Sequence, residues 1–435
     1  MPSIKSVALN VKQYAMVAAG GLGFTGGRAP SGPLNAQIGI SDPCNHKCVF
    51  CFDHPDEIHE SAETDWDVRF GHSRPGIMSF EVFKGIVDDL WKLGTRRIDL
   101  IGRGEPFNNR AAMKMIRYAK SRDMHIQLCS NGSRVTEPIA RELVALGVDR
   151  LNVSLNAGTP ETYPHIHVTE SPEKYLTVKK NLRFLSDCKI AAGSAKPVIS
   201  LSFVVNSRNY FEIEHMVEAA REVGAQEAQF AHLVPHDGTL DLRLGPDQFE
   251  ELQALWPRAL ERAVAGHIKN NLQAFGVSIP SYMPSEMVGP PVVPCYVGWY
   301  MAVFLGNGNV LPCCQCSKPL GQVTNERRFS EIWGGQEYSD FRIAARSLPE
   351  KSERLMTCQC DNCQQRPRNL AIHNFLHPLN RIPAGKEVQR FKPTDLVRKM
   401  WGIRGLEEDT AEPPAVVERA ELSEGRKKHA DADAS

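Results

Sequence analysis

The chain has 435 residues, of which 42% are apolar and 23% are charged, and its formal net charge at neutral pH is zero. The length exceeds what one ordinary hydrophobic core holds, so we expect a globular enzyme with two domains and tails. The balanced charge argues against a dedicated nucleic-acid-binding protein. The sequence shows neither a bilayer-spanning apolar stretch nor a clear signal peptide, so we expect a cytoplasmic protein with no membrane span.

The first twenty residues predict a modest helix, and from about residue 35 to 265 strand and helix patterns alternate. A typical helix start is Ser79, which precedes an apolar stripe that ends at Gly94. Repeated strand–helix units predict a parallel sheet covered by helices, so the expected fold class is α/β with a partial (β/α)6 TIM-like barrel. The predicted strands lie at 35–41, 96–102, 125–131, 150–156, 198–206 and 227–233.

Polar residues lie at or just after the carboxyl end of the predicted strands. Enzymes with such barrels carry out their chemistry at this end of the strands. We expect these side chains to lie on one rim, because the carboxyl ends of parallel strands meet at the same end of a barrel. The residues, in strand order, are Arg103, Gly104 and Glu105, then Ser130, then Ser154 and Asn156, then Asn206, and finally His232.

Three cysteines, Cys44, Cys48 and Cys51, lie in the run CNHKCVFC directly after the first predicted strand. Three thiolates can hold three irons of a four-iron, four-sulfur (4Fe-4S) cluster and leave the fourth iron open for chemistry. The same loop is compatible with a disulfide framework, or with a zinc site completed by His46 or His54. On the loop alone these alternatives stay open.

The chain has twelve cysteines and no export signal, which indicates reduced thiols and metal ligation rather than disulfides. Seven of the cysteines lie between residues 295 and 363, and this small cysteine-rich region should follow the barrel. Cys129 and Cys188 lie between the two groups, and we interpret them as structural thiols, the first in a strand and the second after a helix.

At these residues the sequence resembles the radical S-adenosylmethionine (SAM) superfamily over roughly residues 35 to 235. CNHKCVFC is similar to the family's CxxxCxΦC loop, with Phe50 in the aromatic place, and GRGEP is similar to its GGEP segment, with Arg103 for the first glycine. The resemblance implies a cluster on the three cysteines whose open iron chelates the amino and carboxylate groups of SAM. It implies these SAM-binding residues: Phe50, Gly104, Glu105, Ser130, Ser154, Asn156 and Asn206.

The second cysteine group resembles the auxiliary-cluster extension called SPASM, or its shorter form, Twitch. This resemblance implies an auxiliary 4Fe-4S cluster on four thiolates: Cys295, Cys313, Cys360 and Cys363. At the spacings of the full two-cluster pattern the chain has Asn369 and His373, which favours the one-cluster form. Two alternatives stay open. One is a structural zinc site, and the other is a second Cys3His cluster built from spare residues: Cys314, Cys316, Cys358 and His373.

The sequence departs from the family after strand four, where His165 and His167 stand in place of two arginines. Such histidines can titrate near neutral pH and act on substrate, although a surface or packing role is more common. The candidate catalytic residues are Arg103, His165 and His232, with His236 and Asp237 as further residues facing substrate.

The resemblance implies reductive cleavage of SAM to a 5′-deoxyadenosyl radical that removes a substrate hydrogen. Two substrate classes fit: a ribosomal peptide undergoing an oxidoreductase-type modification, which we slightly favour, and a small alcohol, sugar or aminocyclitol that is dehydrogenated. A low-potential donor such as flavodoxin or ferredoxin should supply the electron. A non-catalytic iron–sulfur or zinc scaffold is the third alternative.

These patterns predict five regions along the chain. They are an N-terminal extension over 1–33, the barrel over 34–265, a linker over 266–290, the auxiliary-cluster domain over 291–404, and a disordered tail over 405–435. The segment 401–405 was expected to dock before the tail begins.

Overall fold

The structure is a computed structural model that describes residues 4–51, 53, 76–234, 237–278, 293–350, 355, 358, 360, 363 and 365–379. The expected tail, the 401–405 segment and His236 lie outside these residues. The strands in chain order are β1 (Asn35–Ile38), β2 (Arg97–Leu100), β3 (His125–Ser130), β4 (Arg150–Ser154), β5 (Val198–Val205), β6 (Glu227–His232), β7 (Lys269–Asn270), β8 (Met301–Phe304), β9 (Asn309–Leu311) and β10 (Gly321–Gln322).

The helices begin close to the predicted signals, and Ser79 accepts a hydrogen bond from the Val82 amide at the start of the second one. Residues Ile4–Gly21 form the helix that was expected near the start of the chain. The helices are α1 (Ile4–Gly21), α2 (Phe80–Lys92), α3 (Ala112–Ser121), α4 (Glu137–Ala145), α5 (Tyr163–Ile166), α6 (Pro172–Ala191), α7 (Ile213–Glu222), α8 (Pro246–Ala265), α9 (Leu272–Ser278), α10 (Val297–Tyr300), α11 (Phe329–Trp333), α12 (Gln336–Arg346) and α13 (Arg366–Leu376). Cys188 lies inside α6 and not after a helix.

The described strands form one sheet in the order β10-β9-β8-β1-β2-β3-β4-β5-β6-β7. From β8 through β7 the neighbouring strands run parallel, which confirms the predicted α/β barrel core. The two ends of the sheet, β10 and β7, do not pair within the described residues, so the barrel is open. The six predicted strands are β1 to β6, and their carboxyl ends share one rim.

The cysteine-rich region is joined to the barrel through the sheet. Strand β8 pairs in parallel with β1, and Gly39 donates a backbone hydrogen bond to the Phe304 carbonyl at 2.8 Å. Strands β9 and β10 then continue the sheet as antiparallel neighbours. The auxiliary region therefore begins as an extension of the barrel and shares its core.

The structure differs from the predicted linker over residues 269–278. There β7 pairs with β6, and α9 packs on β6 and α8. Phe275 of α9 is fully buried, which explains why this segment is ordered against the barrel. The remaining predicted linker residues, 279–290, lie outside the described part of the chain.

Candidate metal centres

The loop after β1 brings its three cysteine thiols into mutual electrostatic contact. All three are half-buried residues, and the Cys51 amide donates to the Cys48 carbonyl at 2.9 Å, which closes a tight turn. Burial raises the pKa of the Cys48 thiol well above its ordinary value, and the neighbouring Cys51 and Cys44 raise that pKa further. Three thiolates here need a cation to offset their repulsion, which fits a metal cluster held by the loop.

Gly104 lets the end of β2 lie directly against this loop. A Cβ atom at Gly104 would stand 2.3 Å from the carbonyl oxygens of Asp42 and Pro43. The Glu105 amide and the Asn108 side chain both donate to the Pro43 carbonyl, at 3.2 and 3.0 Å. The space beside the Gly104 Cα atom is thus filled by the main chain of the cysteine loop, and the predicted SAM-binding role of Gly104 stays a prediction.

Glu105 is a buried carboxylate that joins the ends of β2 and β3. It accepts hydrogen bonds from the Ser130 hydroxyl at 2.8 Å, from the Asn131 amide at 2.8 Å and from the Phe107 amide at 3.3 Å. Burial raises the pKa of Glu105, and these three donors oppose that rise. The Ser130 hydroxyl thus donates to Glu105, and SAM binding by Glu105 and Ser130 stays a prediction.

Asn156 and Asn206 form part of an amide network between the ends of β4 and β5. The Asn156 side chain accepts from the Val204 amide at 3.0 Å, and Asn156 itself has a left-handed φ of 57°. Asn209 donates to the carbonyls of Asn156 and Val204 and accepts from the Asn206 amide. Sequence reasoning missed Asn209, although the run from Asn206 to Asn209 is an Asx-turn pattern. Half-buried Ser154 lies in register with Ser202.

The two histidines after β4 have different surroundings. His165 is exposed, and its carbonyl accepts from the Arg208 guanidinium at 3.4 Å. His167 is fully buried, with Nδ1 3.1 Å from the Cys48 sulfur and Nε2 3.2 Å from the Leu155 carbonyl oxygen. Two roles were predicted for these histidines, action on substrate and the more common surface or packing role, and the exposed His165 and buried His167 are compatible with the second. No local sequence pattern indicated that His167 contacts Cys48.

Three other predicted residues lie near the rim. His232 stacks on the Phe275 ring at a centroid distance of 4.1 Å. The Arg103 guanidinium is buried and lies 3.7 Å from the Asp53 carboxylate. Phe50 packs against a small apolar cluster that includes Val49 and Leu233. Their contacts with SAM or substrate stay predictions, and the Asp237 side chain lies outside the described residues.

Five cysteines of the second group line one cavity. The rest of the wall is mainly apolar and includes Phe341, Leu348 and Leu355. Burial raises the pKa of Cys295 to about 12, so thiolates here also require a bound cation. The cavity includes all four predicted auxiliary ligands and one further cysteine: Cys295, Cys313, Cys360, Cys363 and Cys358.

The structure corrects two expectations about the spare residues. Cys316 and Cys358 form a disulfide, with their Cα atoms 4.2 Å apart, where the sequence predicted reduced thiols. An isolated β-bridge brings these two residues together. His373 hydrogen-bonds the Tyr296 hydroxyl at 2.9 Å, so it is turned toward the residue after Cys295. Three of the four residues of the hypothetical Cys3His cluster therefore have other partners: Cys316, Cys358 and His373.

Asp42 connects the two cysteine regions. Its buried carboxylate accepts from the Gly306 amide at 3.0 Å, in the turn between β8 and β9, and from the Gly76 amide at 2.8 Å. Asp42 lies two residues before Cys44, so the auxiliary hairpin and the cysteine loop hold fixed positions relative to each other.

With this geometry in place, the sequence matches the Radical SAM superfamily over residues 38–229 and the iron-sulfur cluster-binding domain SPASM over residues 295–364. The chain is a radical SAM enzyme with a C-terminal SPASM domain. Membership in this family implies a 4Fe-4S cluster that works with SAM, together with auxiliary iron–sulfur clusters. No helix in the described residues has the length and apolarity needed to cross a membrane.

Among its relatives, this radical SAM chain is 26% identical to a tungsten-containing aldehyde ferredoxin oxidoreductase cofactor-modifying protein of Pyrococcus furiosus, over 47% of the chain and 55% of that protein. The similarity thus spans about half of that relative's length. The chain is 23% identical to the PqqA peptide cyclase of Gluconobacter oxydans, over 78% of the chain and 85% of the cyclase. A solved structure of Streptococcus suis SuiB bound to its precursor peptide SuiA has the same fold, with a TM-score of 0.53, 13% identity and coverage of 79% and 73%.

Proposed function

We propose that this enzyme removes a hydrogen from a ribosomal peptide, using SAM and a cluster held by Cys44, Cys48 and Cys51. The observation that carries the proposal is the position of the cysteine loop. It lies against the ends of β2 and β3, through Pro43 and Asn45, and against the segment after β4, through Cys48. Barrel enzymes carry out their chemistry at this end of the strands.

Bound together, the reduced cluster and SAM supply a 5′-deoxyadenosyl radical. The chain's own residues position the reactants and exclude water. In our proposal Phe50 packs near adenine, Gly104 and Glu105 shape the site beside the methionine group, and the residues at the ends of β3, β4 and β5 border the nucleoside. This last group comprises Ser130, Ser154, Asn156 and Asn206. The residues proposed to face substrate are Arg103, His165 and His232.

A second, auxiliary cluster on the thiols around the cavity would accept or relay electrons, because four thiolates close all four irons. The proposed ligands are Cys295, Cys313, Cys360 and Cys363. A net oxidation of the substrate then has an acceptor inside the same molecule, and a flavodoxin or ferredoxin would deliver the initial electron from outside.

The similarity to PqqA peptide cyclase, together with the fold shared with SuiB, supports a peptide substrate. One observation favours a second candidate. The four predicted auxiliary ligands line a single cavity, and Asn369 and His373 are turned toward Tyr296, which fits the one-cluster form. Members of the radical SAM superfamily that carry the one-cluster form include small-molecule dehydrogenases. A small alcohol or sugar-like substrate is therefore our second candidate.

The decisive experiment is anaerobic reconstitution of the enzyme with iron and sulfide, followed by dithionite and SAM. We expect 5′-deoxyadenosine and methionine, and we expect this product to fall to background in Cys48→Ala. Cys188→Ala is the matched control, since Cys188 lies on α6, away from both cysteine groups. No cleavage of SAM by a fully loaded and reduced enzyme would contradict the proposal and favour a scaffold role. Transfer of hydrogen from a peptide to 5′-deoxyadenosine would favour the peptide class, and transfer from a small alcohol would favour the second class.

A further inference from the structure

His167 is a buried residue that packs against the cysteine loop. Its side chain is fully buried, with ring centroids 4.4 Å from Tyr163 and 5.2 Å from His46. A fully buried ring of this kind cannot reach a substrate, in contrast to His165, which is exposed two residues earlier. The chemistry of His167 must therefore act through its immediate neighbours.

The neighbours of His167 are Cys48 and the end of β4. Nδ1 lies 3.1 Å from the Cys48 sulfur, and Nε2 lies 3.2 Å from the Leu155 carbonyl oxygen. The backbone reinforces this contact, because Cys48 and His167 form an antiparallel β-bridge. The flanking residues exchange two backbone hydrogen bonds, Val49 to Ile166 and Val168 to Lys47, each of 3.0 Å. The middle cysteine of the loop is thus fixed to one ring and one stretch of main chain.

We propose that His167 is a positioning residue for the SAM-binding cluster, one that hydrogen-bonds the Cys48 ligand and thereby sets the cluster's reduction potential. This inference rests on the proposed role of Cys48 as an iron ligand. A metal-bound thiolate accepts hydrogen bonds and has no hydrogen to donate. The nitrogen that faces it, Nδ1, must therefore carry a ring hydrogen when the cluster is bound.

The effect on the cluster follows from charge. Reduction adds an electron, so the sulfur becomes a better acceptor and the hydrogen bond stabilises the reduced form more than the oxidised form. The midpoint potential is therefore higher with His167 than without it. Tyr163 and His46 pack against the ring, and the β-bridge between Cys48 and His167 fixes its main chain, so the hydrogen bond is preorganised and does not depend on a mobile side chain.

Three substitutions separate the two ring nitrogens. His167→Asn places its amide nitrogen close to the position of Nδ1 and keeps a donor for Cys48. His167→Gln places its amide closer to the position of Nε2 and keeps the contact with Leu155, while His167→Phe keeps only the ring volume. His215→Phe is the matched control, because the same change is made on an exposed side chain of α7 that has no proposed role at the site.

The test is a potentiometric titration of each reconstituted, full-length variant, followed by electron paramagnetic resonance. The signal that changes on addition of SAM identifies the cluster of the cysteine loop. We expect a shift to more negative midpoint potential and altered g-values in the Phe and Gln variants. The Asn variant and the His215→Phe control should retain the wild-type values.

The outcomes distinguish this inference from the proposed function. If the wild-type enzyme shows no SAM-sensitive cluster, the proposed function fails first. If that cluster is present and the Phe and Gln variants keep its potential and g-values, the inference about His167 is wrong. If the Phe variant does not hold iron, the comparison of Asn with Gln decides, and equal potentials in those two variants overturn the proposal.

Discussion

The absence of a Cβ atom at Gly104 allows the main chain of the cysteine loop to lie against the end of β2. A Cβ atom there would stand 2.3 Å from two carbonyl oxygens of the loop's main chain, and neither oxygen belongs to a flexible side chain that could move away. Gly104→Ala should therefore displace the loop and cost about 1–3 kcal/mol of unfolding free energy. We expect it to lose the iron of the loop and retain the auxiliary iron. Iron analysis and denaturant unfolding measure both effects.

The matched control for this prediction is Gly85→Ala in α2, where the nearest heavy atom is the end of the Arg328 side chain, 3.9 Å away. Replacing a helical glycine by alanine stabilises a helix by up to about 1 kcal/mol, so this variant should keep all its iron. Full iron content in Gly104→Ala would show that the loop tolerates the added atom.

Residue-scale prediction from sequence was limited by contacts between distant segments. The loop cysteines were identifiable because their spacing is a local pattern that can be found in the sequence itself. The donors to Glu105 come from β3, and the ring that faces Cys48 comes from the segment after β4, so neither contact leaves a local pattern. Only the assembled rim brings these groups together.

Among the helices, α12 connects the N-terminal segment to the cysteine-rich region through hydrogen bonds of one buried arginine. Arg342 is fully buried and donates to the carbonyls of Gly298, Gly27 and Trp333 at 2.7, 3.2 and 3.0 Å. Arg342→Met removes these donors and leaves three carbonyls without them, so we expect a loss of about 3 kcal/mol or more in unfolding free energy.

Thermal and denaturant unfolding measure the effect of Arg342→Met. Arg258→Met is the control, because Arg258 is largely exposed and makes a surface ion pair with Glu214. Such pairs contribute about 0–1 kcal/mol, so the control should unfold almost as the wild type does. Equal losses in the two variants would show that Arg342 does not fasten the segment.

The Asp149 carboxylate, directly before β4, makes hydrogen bonds and ion pairs that link this strand to β3 and to the residues before β5. It accepts from Lys120 at 2.9 Å, from the Ile126 amide at 3.0 Å and from Lys196. Burial raises the pKa of Asp149, but these donors together lower it to about 2. Because the pKa is lower in the folded protein than the ordinary 3.8, the stabilisation is present above about pH 4 and is lost as pH falls toward 2.

Asp149→Asn should therefore reduce the unfolding free energy at neutral pH by on the order of 1–2 kcal/mol, after allowance for solvent screening. The difference from wild type should shrink as pH falls from 4 toward 2. Urea unfolding at several pH values measures it. A difference that stays constant with pH would mean that hydrogen-bond geometry matters here and the charge of Asp149 does not.

The elements of the barrel were the most predictable part of the fold. Strands β1 to β6 lie within the predicted ranges, since each has a clear apolar pattern and a helix after it. Strand β8 was not predicted as part of the barrel sheet. It has four residues, Met301–Phe304, and its partner β1 is more than 260 residues earlier in the chain, so only the assembled fold reveals the pairing.

At the scale of the whole molecule, the insertion of β8 beside β1 makes the barrel and the auxiliary region one sheet. Removal of the chain after residue 292 would expose the edge of β1 and the apolar surface beneath it. The distance between the two cysteine groups is consequently a property of the fold, and Asp42 secures it at the rim. Electron transfer between two clusters would benefit from such a fixed separation.

Our prediction for the number of clusters depends on the contacts of two α13 side chains with Tyr296. Asn369 accepts from the Tyr296 amide at 3.0 Å, and His373 hydrogen-bonds the Tyr296 hydroxyl. Both residues stand at cysteine positions of the two-cluster pattern, and both contact the residue after the proposed ligand Cys295. Cys316 and Cys358 are paired with each other. We therefore expect two 4Fe-4S clusters and about eight irons per chain after reconstitution.

Two double variants test this expectation. Cys360→Ser with Cys363→Ser should leave about four irons per chain, because the auxiliary cluster loses two of its proposed ligands. Cys316→Ser with Cys358→Ser should retain about eight, since the disulfide lies outside the proposed ligand set. About twelve irons in the wild type, falling to about eight in the second double variant, would instead assign Cys316 and Cys358 to a third cluster. The disulfide would then be a pairing of thiols that iron keeps apart in the loaded enzyme.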